Sequence, residues 1–155
     1  MRRRELSIRW TLRDTADASL TGPAYSASPV RGPWDLVTYL GPWAAELQET
    51  TVVILINARM HILGHREVGR GSSTSCPMDV KEVFRAALMG GACAIILCHN
   101  HPSGSVGPSG EDLTVTERVR VAADLLGIPL IDHIIVGVGN DGQVLHHSMK
   151  EHGQL

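Results

Sequence analysis

"ACAIILCHNHPSGSVGPSGED", Ala92 to Asp112, passes from an unbroken apolar run through two histidines one residue apart into a Pro/Gly/Ser stretch that ends on a carboxylate. The run "ACAIILC" (92–98) has strand length and no polar alternation, which suits a central strand covered on both faces. Side chains at i and i+2 of a strand share one side, so His99 and His101 present their imidazoles together while Asn100 points away. Pro102 cannot continue a ladder, and Gly104, Gly107 and Pro108 let the chain reverse within a few residues. Asp112 then falls in the first turn of the next helix, close to where the strand ended.

Outward from this strand, helices and strands alternate. Upstream, Pro77 opens a helix whose Val80, Val83, Phe84, Ala87 and Leu88 share a face, stopped by Gly90-Gly91. Before it, "TTVVILIN" (50–57) and "MHILGHREVG" (60–69) read as an antiparallel hairpin; Ala58-Arg59 is a poor two-residue turn, which favours a longer loop. Pro33 starts an earlier helix through "PWDLVTYL", interrupted at Gly41-Pro42 and resumed in "PWAAELQ". Downstream, a helix from Gly110 places Val115, Val119, Ala122 and Leu126 on one face and stops at Gly127 and Pro129. "LIDHIIVGV" (130–138) and "QVLHH" (143–147) are two more strands, turned at "GNDG". The order predicts an α/β (α+β) domain, a mixed β-sheet flanked by helices. Residues 1–32 are weakly patterned and read as an irregular N-terminal leader, with one domain over residues 33–155.

The bulk numbers agree with a single core. A chain of 155 residues, 43% hydrophobic, buries roughly 70% of its unfolded surface. A net charge of -2 and a pI near 6.4 lack the basic footprint of a phosphate-binding protein. The Arg2-Arg3-Arg4 run reads as a solvated tail. Cys76, Cys93 and Cys98 form no disulfide framework, so reduced thiols in a cytoplasmic protein are expected. No apolar h-region and no charge-free apolar run near ~20 residues is present, so neither signal peptide nor membrane span is expected.

Two histidines and one carboxylate make three protein ligands. Three ligands with water in the fourth position is the catalytic zinc arrangement, whereas structural sites are closed by four. Zinc there lowers the pKa of its water and polarises a carbonyl, which suits amide hydrolysis. The plainer reading is that Ser109 and Asp112 form a helix-capping pair and that the histidines are incidental. Taken singly each plain reading is the commoner one; the conjunction of H-x-H, reversing loop and carboxylate favours the metal.

The segment "HNHPSGSVGPSGED" resembles the metal motif of the JAB/MPN (JAMM) metallopeptidases: H-x-H-P, six residues, then S-x-x-D. His99, His101, Pro102, Ser109 and Asp112 match every position. With "PMDVKEVFRAALMGGACAIIL" and "LLGIPLIDHIIVG", the chain is similar over residues 33–148 to the RadC-like branch, which is associated with DNA repair. The resemblance implies a cytidine-deaminase-like, JAB/MPN-type sheet and a hydrolase in which His99, His101 and Asp112 hold Zn2+. It further implies that Ser109 hydrogen-bonds the oxyanion and that a glutamate near the first hairpin strand acts as general base. That glutamate maps to Glu49, with Glu67 in reserve. Longer RadC proteins carry a helix-hairpin-helix segment ahead of the domain, where this sequence has its weakly patterned leader.

The leading expectation is a zinc metallopeptidase or isopeptidase acting on a peptide or isopeptide substrate. The alternative is a DNA-repair-associated protein acting through nucleic acid or a protein partner without peptidase activity, although the charge does not favour DNA contact. A non-catalytic scaffold is the third, disfavoured by the complete motif. Cys98 is expected as a buried thiol and His133 as a satisfied core histidine. His61, His65, His146, His147 and His152 are expected at the surface.

Overall fold

The computed structural model describes residues 28–71 and 78–155. The leader up to residue 27, Cys76 and the expected helix opener Pro77 lie outside the described residues.

The elements are α1 (Pro33–Leu40), a 3-10 turn (Gly41–Trp43), β1 (Thr50–Ile56), β2 (Ile62–Arg70), α2 (Val80–Met89), β3 (Ala94–Asn100), α3 (Gly110–Leu126), β4 (Leu130–Val138) and β5 (Val144–Ser148). They form the expected α/β arrangement, a five-stranded mixed sheet in the order β2-β1-β3-β4-β5 with helices packed on it. The β3–β4 pair is parallel. The β1–β2, β1–β3 and β4–β5 pairs are antiparallel. Every residue of β1 and of β3 is buried, as unbroken apolar runs require of strands covered on both faces.

The sheet separates two cores. One face, with Val53, Leu55, Ile95 and Leu97, packs on Val83, Phe84 and Ala87 of α2 and Val119 and Ala123 of α3. The other, with Val52, Ile54, Ile56, Ile96 and Cys98, packs on Leu36 and Leu40 of α1. Strand parity therefore decides what each residue near the end of β3 meets. The odd-numbered His99 continues the α2/α3 side, and the even-numbered Asn100 continues the α1 side.

Some local expectations are corrected, and that of a longer hairpin loop is met. The first helix does not resume after Gly41-Pro42; a single 3-10 turn ends at Trp43 and the chain runs without regular structure to β1. The hairpin loop is the longer kind: Asn57 Oδ1 accepts from the amides of Arg59 and His61, and Met60 takes a left-handed φ of 63°. Asp79 caps α2 by accepting from the Lys81 amide, so the described helix begins at Val80. Leu88 and Leu126 are 60% and 44% exposed. The contact with the sheet is narrower than the apolar stripe, and Ala86 on α2 and Ala123 on α3 take the buried places instead. Among the described residues, no helix is long and apolar enough to cross a membrane.

Candidate metal centre

The site lies where β3 ends, α3 begins and the segment before β1 passes. His99 is the penultimate residue of β3, and His101 follows it on the same side, its amide donating to the Val136 carbonyl of β4 at 2.9 Å. The reversing loop is laid against β4 by Gly104. Its φ is +78°, and a Cβ there would stand 2.5 Å from the Val138 carbonyl oxygen, so the close backbone approach admits no side chain. Ser109 caps α3 and Asp112 is the third residue of the capping box, which turns its carboxylate back toward the strand.

Capping and convergence thus coexist in the same residues. Asp112 Oδ2 accepts from the Ser109 amide and from the Ser109 hydroxyl, each at 2.7 Å. Its Oδ1 lies 3.2 Å from His99 Nε2, its Oδ2 lies 3.6 Å from His101 Nε2, and the two Nε2 atoms are 2.9 Å apart. A tetrahedral zinc ion with bonds of about 2.0–2.1 Å separates its ligand atoms by ~3.3 Å. The three separations fall around that value, so the donor set fits such an ion in both chemistry and size.

The fourth member is Glu49. In the β1–β3 ladder Thr51 pairs with His99, and continuing that antiparallel register by two residues sets Glu49 opposite His101. Glu49, His99, His101 and Asp112 each bring a ligand atom within 4.8 Å of the others. Glu67, the reserve candidate, is not in this group; it is exposed on β2 and paired with Arg70 at 2.5 Å. A cleft of about 210 Å³ opens beside Glu49 and His101, lined also by Leu47, Pro102 and Ser103.

A directional chain fixes the state of His99. The Asp112 carbonyl can only accept, so the Thr116 hydroxyl, 2.6 Å away, donates to it. That hydroxyl then accepts from His133 Nδ1–H at 2.5 Å, which leaves His133 Nε2 to accept from His99 Nδ1–H at 2.8 Å. The His99 nitrogen that faces Asp112 is consequently the lone-pair nitrogen. His101 is set the same way by donating Nδ1–H to the Ser105 carbonyl at 2.6 Å. Burial, together with the neighbouring His99, holds His133 well below the ordinary histidine range, so it stays neutral and carries the single proton this chain needs.

Donor atoms packed this closely could hold a cation among them. Burial opposes the charge of Asp112, but the imidazoles of His101 and His99 and the Ser109 hydroxyl beside it outweigh that penalty and hold the carboxyl well below its usual range. The Asp112 carboxylate beside the ring favours protonated His101 and raises its pKa by more than burial lowers it.

His133 is thus satisfied in the core, as expected, but it also contacts a candidate ligand. Its signal in the sequence was an Asp-His pair inside an apolar strand, which spacing alone did not connect to His99. His133→Leu removes the acceptor for His99 Nδ1–H. It is expected to weaken zinc binding about 10–100-fold, measured by competition with a chromophoric chelator.

The other residues behave locally. Cys98 is fully buried, and burial pushes its thiol up, with the Asp132 carboxylate adding to the effect. His65 packs against Tyr39 and Trp43, His146 against Trp34, and His147 against His152. His61 is half-buried beside the hairpin loop.

Comparison with known proteins places the chain in a family. Residues 30–154 match the model of the RadC-like JAB domain. A UPF0758 protein of Rubrobacter xylanophilus is 41% identical over 108 residues, covering 70% of this chain and 45% of that protein. One of Clostridium beijerinckii is 38% identical over 127 residues, covering 81% of this chain and 53% of that protein. The chain spans about half the length of the curated relatives it matches.

Proposed function

This chain belongs to the RadC-like JAB domain family, whose fold is of a metal-dependent hydrolase type, and from that premise we propose that it is a zinc-dependent metallopeptidase or isopeptidase. The observation that carries the reading is the convergence of His99, His101 and Asp112 at tetrahedral spacing with Glu49 beside them.

His99, His101 and Asp112 would hold the ion, and the His133 and Ser105 contacts keep both imidazoles in the ligating state. Zinc bound there supplies the positive charge that acidifies a water and polarises an amide carbonyl. Glu49 takes the proton from the attacking water and returns it to the departing amine. As the water oxygen bonds to the substrate carbonyl carbon, Ser109 turns its hydroxyl from Asp112 toward the negative charge that develops on the carbonyl oxygen. The cleft lined by Leu47, Pro102 and Ser103 receives the peptide or isopeptide.

The test is metal analysis joined to a cleavage screen over peptide and isopeptide substrates, with and without chelator. About one equivalent of zinc and chelator-sensitive cleavage support the reading. No metal uptake under replete conditions overturns it. Zinc uptake without cleavage, together with a salt-sensitive DNA gel shift, favours the DNA-repair-associated alternative.

A further inference from the structure

The central residue of the H-x-H motif is on the opposite face of the strand from its neighbours, yet its side chain is only 1% exposed and carries three hydrogen bonds. Asn100 Oδ1 accepts from the Thr50 amide at 2.8 Å. Its Nδ2 donates to the Glu46 carbonyl at 3.0 Å and to the Gln48 carbonyl at 3.2 Å. These partners bracket Glu49. The other side of the same segment is tied to the end of β2, where the Glu49 carbonyl accepts from the Gly71 amide at 2.9 Å and Gln48 Nε2 donates to the Gly71 carbonyl at 2.7 Å.

Residues 46–49 lie outside the regular ladder, and the segment needs these contacts to hold one conformation. We propose that Asn100 is a positioning residue for Glu49: it clamps residues 46–50 from the α1 side, so that one short strand end sets both histidine ligands and the carboxylate facing them. The inference rests on the proposed role of Glu49. Its chemistry is specific to an amide, because the site demands one acceptor for a backbone N–H and donors for two carbonyls. Aspartate keeps the size and the acceptor but sets an oxygen against the Glu46 and Gln48 carbonyls.

The experiment compares wild type, Asn100→Asp and Asn100→Ala in three readouts. Amide hydrogen exchange on the chelator-treated protein is expected to show at least a tenfold loss of protection at Thr50 in Asn100→Ala. Zinc content stays at one equivalent in both variants. On the substrate found in the screen, kcat falls about 10–100-fold with KM little changed, the scale of a misplaced catalytic group. In a Glu49→Gln background, Asn100→Asp is expected to add no further loss. Unchanged exchange at Thr50 in Asn100→Ala, or the same loss of kcat from Asn100→Asp with and without Glu49, overturns the proposal. A wild type that binds zinc but cleaves nothing sinks the peptidase reading instead, and exchange at Thr50 then decides for or against the clamp. Asn100→Asp keeps the measurement open if the alanine variant does not fold.

Discussion

Asp112→Ala is expected to abolish stoichiometric zinc binding while the sheet and its two cores persist. Removing an outer hydrogen-bonding partner of a ligand costs about 10–100-fold in metal affinity, so loss of a direct ligand costs more than that. Asp112 is also the only carboxylate within 4 Å of both imidazoles among the described residues, and without it the two ring nitrogens lose the anionic oxygen they share, leaving Glu49 as the remaining carboxylate of the group. The variant also loses half of the α3 capping box, worth ~1 kcal/mol, a cost that circular dichroism melts can separate from the metal effect. Titration calorimetry with zinc measures the main outcome; binding within about tenfold of wild type would show that the ion is held elsewhere.

The same pair makes metal affinity and stability move in opposite directions with pH. In chelated protein His101 has a pKa above its ordinary 6.5, because the Asp112 carboxylate beside it favours the charged imidazole. Its stabilisation is therefore full below about 6.5 and is lost as pH rises through the higher folded value. Zinc competes with a proton for His101 Nε2, so zinc affinity climbs over that interval while the melting temperature of the chelated protein falls.

The second large effect is expected from Glu49→Gln: cleavage lower by about 10²–10⁴-fold at unchanged zinc content. Glutamine keeps the shape of the side chain but cannot accept the water's proton, whereas the ligand trio is untouched. Glu67→Gln is expected to leave cleavage unchanged, since Glu67 is exposed on β2 and held by Arg70. Equal damage from both variants, in steady-state kinetics and zinc analysis, would remove Glu49 from the proton-transfer role.

Much of this was legible because the informative features are local. The H-x-H parity, the Pro/Gly reversal and the capping position of Asp112 all lie within one stretch, and each follows from backbone geometry. Glu49 required the register of β1 against β3, which a sequence does not print, and only the family resemblance pointed to it. Thr116, His133 and the clamping role of Asn100 were not legible. Their partners are far along the chain, as with Asn100 and Glu46, and each residue read alone suits an ordinary core or loop. The misplaced helix faces at Leu88 and Leu126 have a simpler origin: periodicity shows an apolar stripe but not which margin of it meets the sheet, and Ala86 and Ala123 are covered instead.

The three candidate ligands fall between residues 99 and 112, on one strand end and the first turn of the helix that follows it. A cross-link across so short a loop removes little freedom from the unfolded chain. Both cores are assembled from residues outside that loop, and among the described residues no buried side-chain nitrogen or oxygen lacks a partner. The scaffold therefore does not need a bound ion to assemble its cores, unlike small metal-dependent domains. On the proposed reading, architecture and reactivity are separable in this fold: zinc would arrive late, leave and return, arming a molecule that is already built.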